Sequence, residues 1–349
     1  MENMEKMENL LELKNVTFSF RTYGGVVQSV RDVSFNIKPG EIVGIVGESG
    51  CGKSVTSQCI LKLNPEPPGF FGPDSSIKYK GEEIVTMSDK EMRKIRGKEI
   101  GFIFQDPMTS LNPTMKVGAQ IEEIFVGDKS ISKAEKKRRA IEILELVGIN
   151  EAERRYNQYP HELSGGMKQR VMIAIALVGR PSIVIADEPT TSLDVTIEAQ
   201  ILDLLKELRE KLGISIILIT HDLGVIAKLC DRVLVMYGGK IIERGDVGEI
   251  FYDTKHPYTN GLLNSIARLS SSKDQKLTPI EGTPPDLFSP PKGCPFAARC
   301  EHCMVICKEE MPPEYEVTPT HKSYCWLMHP DAPKVDLTYH AVKEEVTNG

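Results

Sequence analysis

The stretch GESGCGKS, Gly47 to Ser54, has residue types and spacing that suit the binding of phosphate groups. It matches the pattern G-x-x-x-x-G-K-[ST], whose glycines let the backbone wrap a phosphate with N–H groups pointing inward. Lys53 would reach the β- and γ-phosphates and the hydroxyl of Ser54 would hold Mg²⁺, while Cys51 is interpreted as a small spacer. The candidate nucleotide-binding residues are Gly47, Ser49, Gly50, Cys51, Gly52, Lys53, Ser54 and Val55.

Polar side chains follow two apolar runs further along the chain. SIVIADEP places Asp187 and Glu188 at the end of one predicted strand, and His221 follows the run SIILIT. Strand ends are where α/β proteins bind ligands. Asp187 would join the Mg²⁺ shell through water, and Glu188 would be the base that polarises an attacking water. A helix cap is the plainer explanation for a lone Asp-Glu pair, but the phosphate loop favours the metal interpretation.

The elements that position these residues follow a strand, helix, strand rhythm. EIVGIV precedes the phosphate loop, and SIVIADE, an amphipathic run over 201–212 and GISIILIT alternate in the same way. This pattern predicts an α/β fold with a mostly parallel sheet covered by helices. Apolar residues at spacings of three and four predict a helical part over about 115–180.

The chain's charge and composition narrow the function. Its 349 residues carry a formal net charge of −6, which offers no basic field for nucleic acid. The cationic run Lys136 to Arg139 is explained by a solvated helix face behind the capping box Ser132-x-x-Glu135. Neither a signal peptide nor a bilayer-length apolar run is recognisable, so we expect a cytosolic, soluble chain.

The C-terminal part differs in composition from the rest. Beyond Asp253 the chain is rich in proline and glycine, which indicates a boundary near 255. We therefore expect one domain over 10–255, an extension over 256–335 and a loosely held tail over 336–349. Such an extension has few apolar residues with which to build a core of its own.

Cysteines are concentrated in this extension. Five of the chain's eight occur there, namely Cys294, Cys300, Cys303, Cys307 and Cys325. In a reducing cytosol such a cluster suggests a metal more than disulfides. Four thiolates could hold zinc or an iron–sulfur cluster, and the spacing alone leaves both, and the absence of a metal, open.

The ordered motifs resemble the nucleotide-binding subunit of an ABC transporter over roughly 10–255. The motifs are GESGCGKS, Gln105 in FIFQDP, LSGGMKQR, VIADEP, the SLD that ends at Asp194, and His221. The resemblance implies an ABC-type fold with an antiparallel β subdomain and a helical subdomain. It also implies a head-to-tail dimer, in which Ser164, Gly165 and Gly166 complete the ATP site of the other subunit.

Further roles are implied by the same resemblance. Gln105 would link the γ-phosphate and Mg²⁺ region to the groove that receives the membrane subunit, and His221 would sense the γ-phosphate. Tyr23 is the candidate for stacking on adenine, with Phe20 in reserve. Because Glu188 and His221 are both present, the site is expected to hydrolyse ATP.

FQDPMTSLNPTM and KHPYTNGLL resemble the ATPases of bacterial dipeptide and oligopeptide importers. This implies peptide import, a second related ATPase subunit in a heterodimer, two membrane permeases, an external peptide-binding protein, and a peripheral position at the cytoplasmic face of the membrane. The resemblance also implies a [4Fe–4S] cluster on Cys294, Cys300, Cys307 and Cys325, with Cys303 as reserve ligand and zinc as the alternative. Importers of nickel or other small solutes, exporters, and soluble ABC ATPases of DNA repair or translation are the other functions considered.

Overall fold

A computed structural model describes residues 8–128, 130–191, 194–265 and 280–337. As far as the chain is described, it forms two compact units. The first unit comprises Met1–Leu10, Ile37–Ile42 and Thr86–Ile219, and the second comprises Leu11–Asn36, Val43–Val85 and Thr220–Gly349. Of the predicted tail over 336–349, only 336 and 337 lie within the described residues.

Both strands and helices occur along the described part of the chain, with a run of helices between β7 and β8. The strands are β1 (Leu11–Thr22), β2 (Gly25–Ile37), β3 (Ile42–Val46), β4 (Gly69–Phe71), β5 (Ser76–Tyr79), β6 (Glu82–Glu83), β7 (Ile100–Ile103), β8 (Ile183–Asp187), β9 (Ser215–Thr220), β10 (Arg232–Tyr237), β11 (Lys240–Asp246), β12 (Tyr315–Glu316) and β13 (Lys322–Ser323). The helices are α1 (Lys53–Ile60), α2 (Asp89–Ile95), α3 (Pro107–Ser110), α4 (Val117–Glu122), α5 (Lys133–Leu146), α6 (Ala152–Tyr156), α7 (Gly165–Leu177), α8 (Val195–Leu212), α9 (Leu223–Leu229), α10 (Val247–Tyr252), α11 (Pro257–Asn264) and α12 (Val305–Glu309).

The first unit holds parallel strands and most of the long helices. β8 lies between β7 and β9 and pairs with both in parallel. Every residue of β8 and of β9 is buried, which explains why both read as unbroken apolar runs rather than as alternating ones. Side-chain caps fix where three helices begin: Ser132 for α5, Ser164 for α7 and Asp194 for α8.

The second unit contains an antiparallel sheet and a set of mixed strands. The antiparallel strands follow the order β2-β1-β5-β6, and β4 also pairs with β1. In the mixed set, β10 is parallel to β3 and antiparallel to β11, and β13 joins β11 and β12. Mixed sheets together with helices confirm the predicted α/β class at this level. None of the helices in the described part of the chain is long and apolar enough to span a bilayer.

The C-terminal segment, residues 280–337, shares its core with the rest of the second unit. Cys294, Phe296 and Cys307 belong to one buried apolar cluster with Tyr237 and Tyr258. The ring of Phe296 packs edge-on against Tyr237, with centroids 5.3 Å apart. The segment therefore does not depend on an apolar core of its own, because it buries its side chains against β10 and α11.

Candidate nucleotide site

The backbone of the phosphate loop runs from β3 to the start of α1 in a conformation that requires glycine. A Cβ atom at Gly47, where φ is 156°, would lie 2.2 Å from the carbonyl oxygen of Met236. At Gly52, where φ is 102°, it would lie 2.4 Å from the carbonyl oxygen of Ser29. Both glycines thus allow close approach of other backbone as well as positive φ, so the spacing of the motif reflects the shape of the loop.

Lys53 is held within the same loop. Its side chain is only 5% exposed, and its amine donates hydrogen bonds to the carbonyl oxygens of Gly47 at 2.7 Å and Glu48 at 3.0 Å. Cys51 is buried beside it, and burial raises the pKa of its thiol, so it packs as a neutral side chain. A buried cation inside a glycine loop at a helix N-terminus suits a phosphate ligand.

The loop's remaining candidates lie nearer the surface. Ser49 and Gly50 are exposed, whereas Ser54 and Val55 are half-buried on the first turn of α1. A hydroxyl at Ser54 has the oxygen chemistry that Mg²⁺ prefers.

The other candidates of the second unit occupy strand ends and a turn. His221 is exposed directly after β9, and Asp222 beyond it caps α9. Tyr23 lies in the turn between β1 and β2 with its ring fully exposed, as stacking on a base requires. Phe20 is half-buried and packs edge-on against Phe18, with ring centroids 5.2 Å apart.

In the first unit the carboxylates follow β8 as the sequence indicates. Asp187 is buried at the strand's last position, and Glu188 adopts a φ of 47°. A non-glycine residue in this left-handed region costs of order 1–3 kcal/mol and persists where the surroundings fix it. Here the Glu188 backbone N–H donates to the carbonyl oxygen of Ile219 at 2.9 Å.

The Glu188 side chain is also held in place. Gln105 donates to Glu188 Oε2 through its amide nitrogen at 2.9 Å, and Thr191 donates to the same oxygen through its hydroxyl at 3.0 Å. The structure thus brings the predicted Gln105 and Glu188 together. Both of these donors bind Oε2, and neither contacts Glu188 Oε1.

Two supporting residues were not identified from the sequence. These residues are Thr191 and Gln169. Gln169 is fully buried, and its side-chain amide donates to the carbonyl oxygen of Pro189 at 2.5 Å. A polar residue among the apolar positions of α7 was the available signal for Gln169.

The Ser-Gly-Gly turn begins α7. Ser164 accepts a hydrogen bond from the backbone N–H of Met167 at 3.4 Å. Ser164 and Gly165 are exposed, and a Cβ at Gly165 would meet nothing within 4 Å, so space remains beside the first amides of this helix. Gly166 faces Ile197 of α8. Asp194 caps α8 by accepting from Ile197 N–H at 3.0 Å; the Ser192 and Leu193 of the SLD motif lie outside the described residues.

The predicted [4Fe–4S] cluster is wrong. Among the described residues, no group of three or more His, Cys, Asp or Glu side chains is arranged to hold a metal ion. The cysteines predicted as ligands, all of them free, are Cys294, Cys300, Cys307 and Cys325, with Cys303 in reserve. The same finding leaves the alternative zinc site without support.

Burial gives the physical reason. It raises the pKa of Cys294 and of Cys325 to about 12 and that of Cys300 to about 11, so forming a thiolate costs more free energy at these positions than in water. Metal ligation needs thiolates. The Cys303 thiol donates instead to the carbonyl oxygen of Met304 at 3.5 Å, and the others pack as small apolar side chains.

Comparison with solved structures identifies the fold. A dimeric ATP-binding cassette in a post-hydrolysis state, bound to ADP and Pi, superposes with a TM-score of 0.60 at 33% identity, covering 68% of this chain and 98% of its own. A component of an ABC transporter complex from Clostridium perfringens gives 0.59 at 32% identity, with coverages of 70% and 91%. The fold and the phosphate loop together define an ABC-type ATPase.

Sequence comparison narrows this class. The family model described as ABC transporter matches residues 30–191, and that described as oligopeptide/dipeptide transporter, C-terminal region, matches 242–307. An oligopeptide transport ATP-binding protein of Bacillus subtilis is 58% identical over 95% of this chain and 93% of its own length. A dipeptide transport ATP-binding protein of the same organism is 54% identical over 92% and 95%.

The chain therefore belongs to the family of oligopeptide and dipeptide transport ATP-binding proteins. This confirms the resemblance found in its motifs, and with it the expectation of an ATP-hydrolysing enzyme that binds ATP and Mg²⁺.

Proposed function

We propose that this chain is the ATP-hydrolysing subunit that energises the import of oligopeptides or dipeptides through a membrane ABC transporter. The observation that carries the proposal is similarity along nearly the whole chain, 58% over 95% of its length, to a relative named for oligopeptide transport. The relatives named for peptide transport favour this function over nickel import and over DNA repair or translation.

ATP binding is assigned to the phosphate loop. The amides of Gly47 to Ser54 would surround the phosphates, and the Lys53 amine would exchange its loop carbonyl partners for phosphate oxygens. Ser54 and, through water, Asp187 would hold Mg²⁺, which neutralises charge on the phosphates when it is bound. Tyr23 would stack on adenine.

Hydrolysis is assigned to Glu188 as general base. Its carboxylate would orient and polarise the attacking water. Gln105 and Thr191 hold one carboxylate oxygen, and the constrained backbone directs the side chain. These contacts support a fixed base rather than a mobile surface glutamate. His221 is proposed to contact the γ-phosphate.

Assembly is proposed to complete the site. Ser164, Gly165, Gly166 and Asp194 would face the nucleotide of a second ATPase subunit, and the dimeric state of the cassette bound to ADP and Pi supports this. We assign two permease subunits as membrane partners, a related but distinct second ATPase, an external peptide-binding protein, and a peripheral position at the cytoplasmic face.

The domain boundaries remain part of the proposal. A nucleotide-binding domain over 10–255, with its helical part over about 115–180, would be followed by a cysteine-rich extension over 256–335 and a tail over 336–349. The match of a C-terminal family model over 242–307 supports an extension of this kind.

Peptide uptake tests the function. Cells that lack the chain are complemented with wild type, with Lys53→Ala, or with Lys206→Ala, a control at an exposed position of α8. Uptake of a labelled tripeptide should return with wild type and Lys206→Ala and stay absent with Lys53→Ala. Restored uptake of Ni²⁺ without restored peptide uptake would contradict the proposal.

A further inference from the structure

The second residue of the phosphate loop forms an ion pair with the C-terminal segment. Arg299 binds both carboxylate oxygens of Glu48, with N–O distances of 2.6 and 3.0 Å. The Arg299 side chain is 5% exposed and that of Glu48 is 25% exposed. A bidentate, largely buried pair of this kind is geometrically specific and worth more than a surface ion pair.

Arg299 is itself fixed by neutral acceptors. It donates to the carbonyl oxygens of Glu281 at 2.8 Å and Ile280 at 2.9 Å, and to the hydroxyl of Tyr237 at 3.1 Å. These three hydrogen bonds hold the guanidinium in place independently of Glu48. Its side chain provides a rigid support for the loop.

A second contact holds the backbone of the same loop residue. The hydroxyl of Tyr258, a fully buried residue of α11, accepts a hydrogen bond from the Glu48 backbone N–H at 2.8 Å. Burial raises the pKa of Tyr258, so its hydroxyl remains neutral. Both the side chain and the backbone of Glu48 are thus held by residues that follow β11.

We propose that Arg299 and Tyr258 are positioning residues of the nucleotide site, which fix Glu48 and cancel its negative charge inside the loop that receives phosphate. The proposal rests on the assignment of that loop to ATP. Without Arg299, an unpaired carboxylate would stand in a loop that must bind a polyanion, and the loop would lose a fixed support. Nucleotide affinity should therefore fall, and the charge of Glu48 should be the cause.

The test measures the Kd of MgADP by titration calorimetry on the full chain. Arg299→Gln should weaken binding about tenfold, because it leaves a buried charge unpaired. Glu48→Gln should change Kd by less than about threefold, since its amide oxygen can still accept from Arg299. The double variant should bind within about threefold of wild type, because no unpaired charge remains.

A matched control is an ion pair that joins β11 to the C-terminal segment. Arg244 of β11 pairs with Glu314 at 2.6 Å and donates to the Ser34 carbonyl oxygen. Arg244→Gln removes an arginine ion pair of similar length. Neither of these two partners of Arg244 belongs to the phosphate loop. Its MgADP affinity should equal that of wild type.

Wild-type affinity in Arg299→Gln would overturn the proposal, and so would a double variant as weak as Arg299→Gln. Tyr258→Phe should weaken binding a few-fold. Where Arg299→Gln does not fold, unchanged affinity in Tyr258→Phe is the third result that would overturn the proposal. In all three, Lys53→Ala still abolishes binding, so the nucleotide site itself stands. If Lys53→Ala binds MgADP like wild type, the assigned site and this proposal both fail.

Discussion

The phosphate loop and the cysteine segment, residues 294–325, belong to the same compact unit, and burial has opposite consequences for them. In the loop, Lys53 is buried against carbonyl oxygens that satisfy its charge. In the cysteine segment, Cys294 and Cys325 are buried among apolar groups that keep the thiols neutral. The loop keeps a charged side chain in the interior, whereas burial in the cysteine segment disfavours the thiolate form.

The difference lies in the hydrogen-bond partners that each buried group has. A buried charge persists where hydrogen-bond partners replace water, and a buried thiol keeps its proton where its partners do not make up for the lost solvation. The loop's partners are its own backbone, whose path is fixed by glycine. Cys294 packs among side chains such as Phe296 and Tyr237, and the backbone hydrogen bonds from Phe296 and Ala297 do not offset the loss of solvation of a thiolate there.

The largest effect should come from adding one methyl group to the loop. Gly52→Ala places a Cβ 2.4 Å from the Ser29 carbonyl oxygen at a φ of 102°, so the loop must move. We expect MgADP affinity to fall at least about a hundredfold, or roughly 2.7 kcal/mol. Gly50→Ala is the control, since its Cβ meets nothing within 4 Å and it bears only the strain of positive φ, about 1–2 kcal/mol. Equal affinities in the two variants would show that the loop's shape does not govern binding.

The cysteine segment should respond to alkaline pH. Cys294 has a pKa of about 12 when folded against an ordinary value of 9.0. Between these values the unfolded thiol has lost its proton and the folded one retains it, so the free energy of unfolding falls as pH rises. The loss should be about 1.4 kcal/mol per pH unit for each such thiol.

Denaturant unfolding from pH 7 upward measures this slope. Cys294→Ala should have a shallower slope than wild type by about one proton, which isolates the thiol from the lysines and tyrosines that titrate nearby. Identical slopes would mean that the Cys294 thiol is not held neutral by the fold.

A hydroxyl in place of the Cys294 thiol should destabilise the chain. Cys294→Ser buries a polar group within the apolar cluster, at a cost of about 1–3 kcal/mol. Cys294→Ala serves as the reference, and we expect it to be more stable than the serine variant despite its smaller side chain. Equal melting temperatures for serine and wild type would contradict the apolar packing.

The smallest effect concerns the support of Glu188. Thr191→Val removes the hydroxyl that donates to Glu188 Oε2 at 3.0 Å. ATP turnover should fall by about two- to tenfold, the equivalent of one hydrogen bond, and Thr191→Ser should restore it. A valine variant with wild-type turnover would show that the Thr191 hydroxyl does not support Glu188 in hydrolysis.

The sequence predicts the features of this molecule that depend on local backbone conformation, and it does not predict those that depend on distant neighbours. Gly47, Gly52 and the strand before Asp187 were predictable, because glycine spacing and apolar runs reflect local backbone conformation. The state of the cysteines was not, since protonation depends on neighbours that only the fold supplies. The Arg299–Glu48 pair joins residues 251 positions apart, and no local pattern marks it.

The proposed role of Glu188 as the base in ATP hydrolysis is tested by one comparison. Single-turnover hydrolysis and MgATP binding are measured for wild type, Glu188→Gln and Glu207→Gln, a control at an exposed position of α8. Glu188→Gln should lower the rate by about a hundredfold or more while MgATP still binds, and Glu207→Gln should match wild type. Hydrolysis by Glu188→Gln at the wild-type rate would show that Glu188 is not the base.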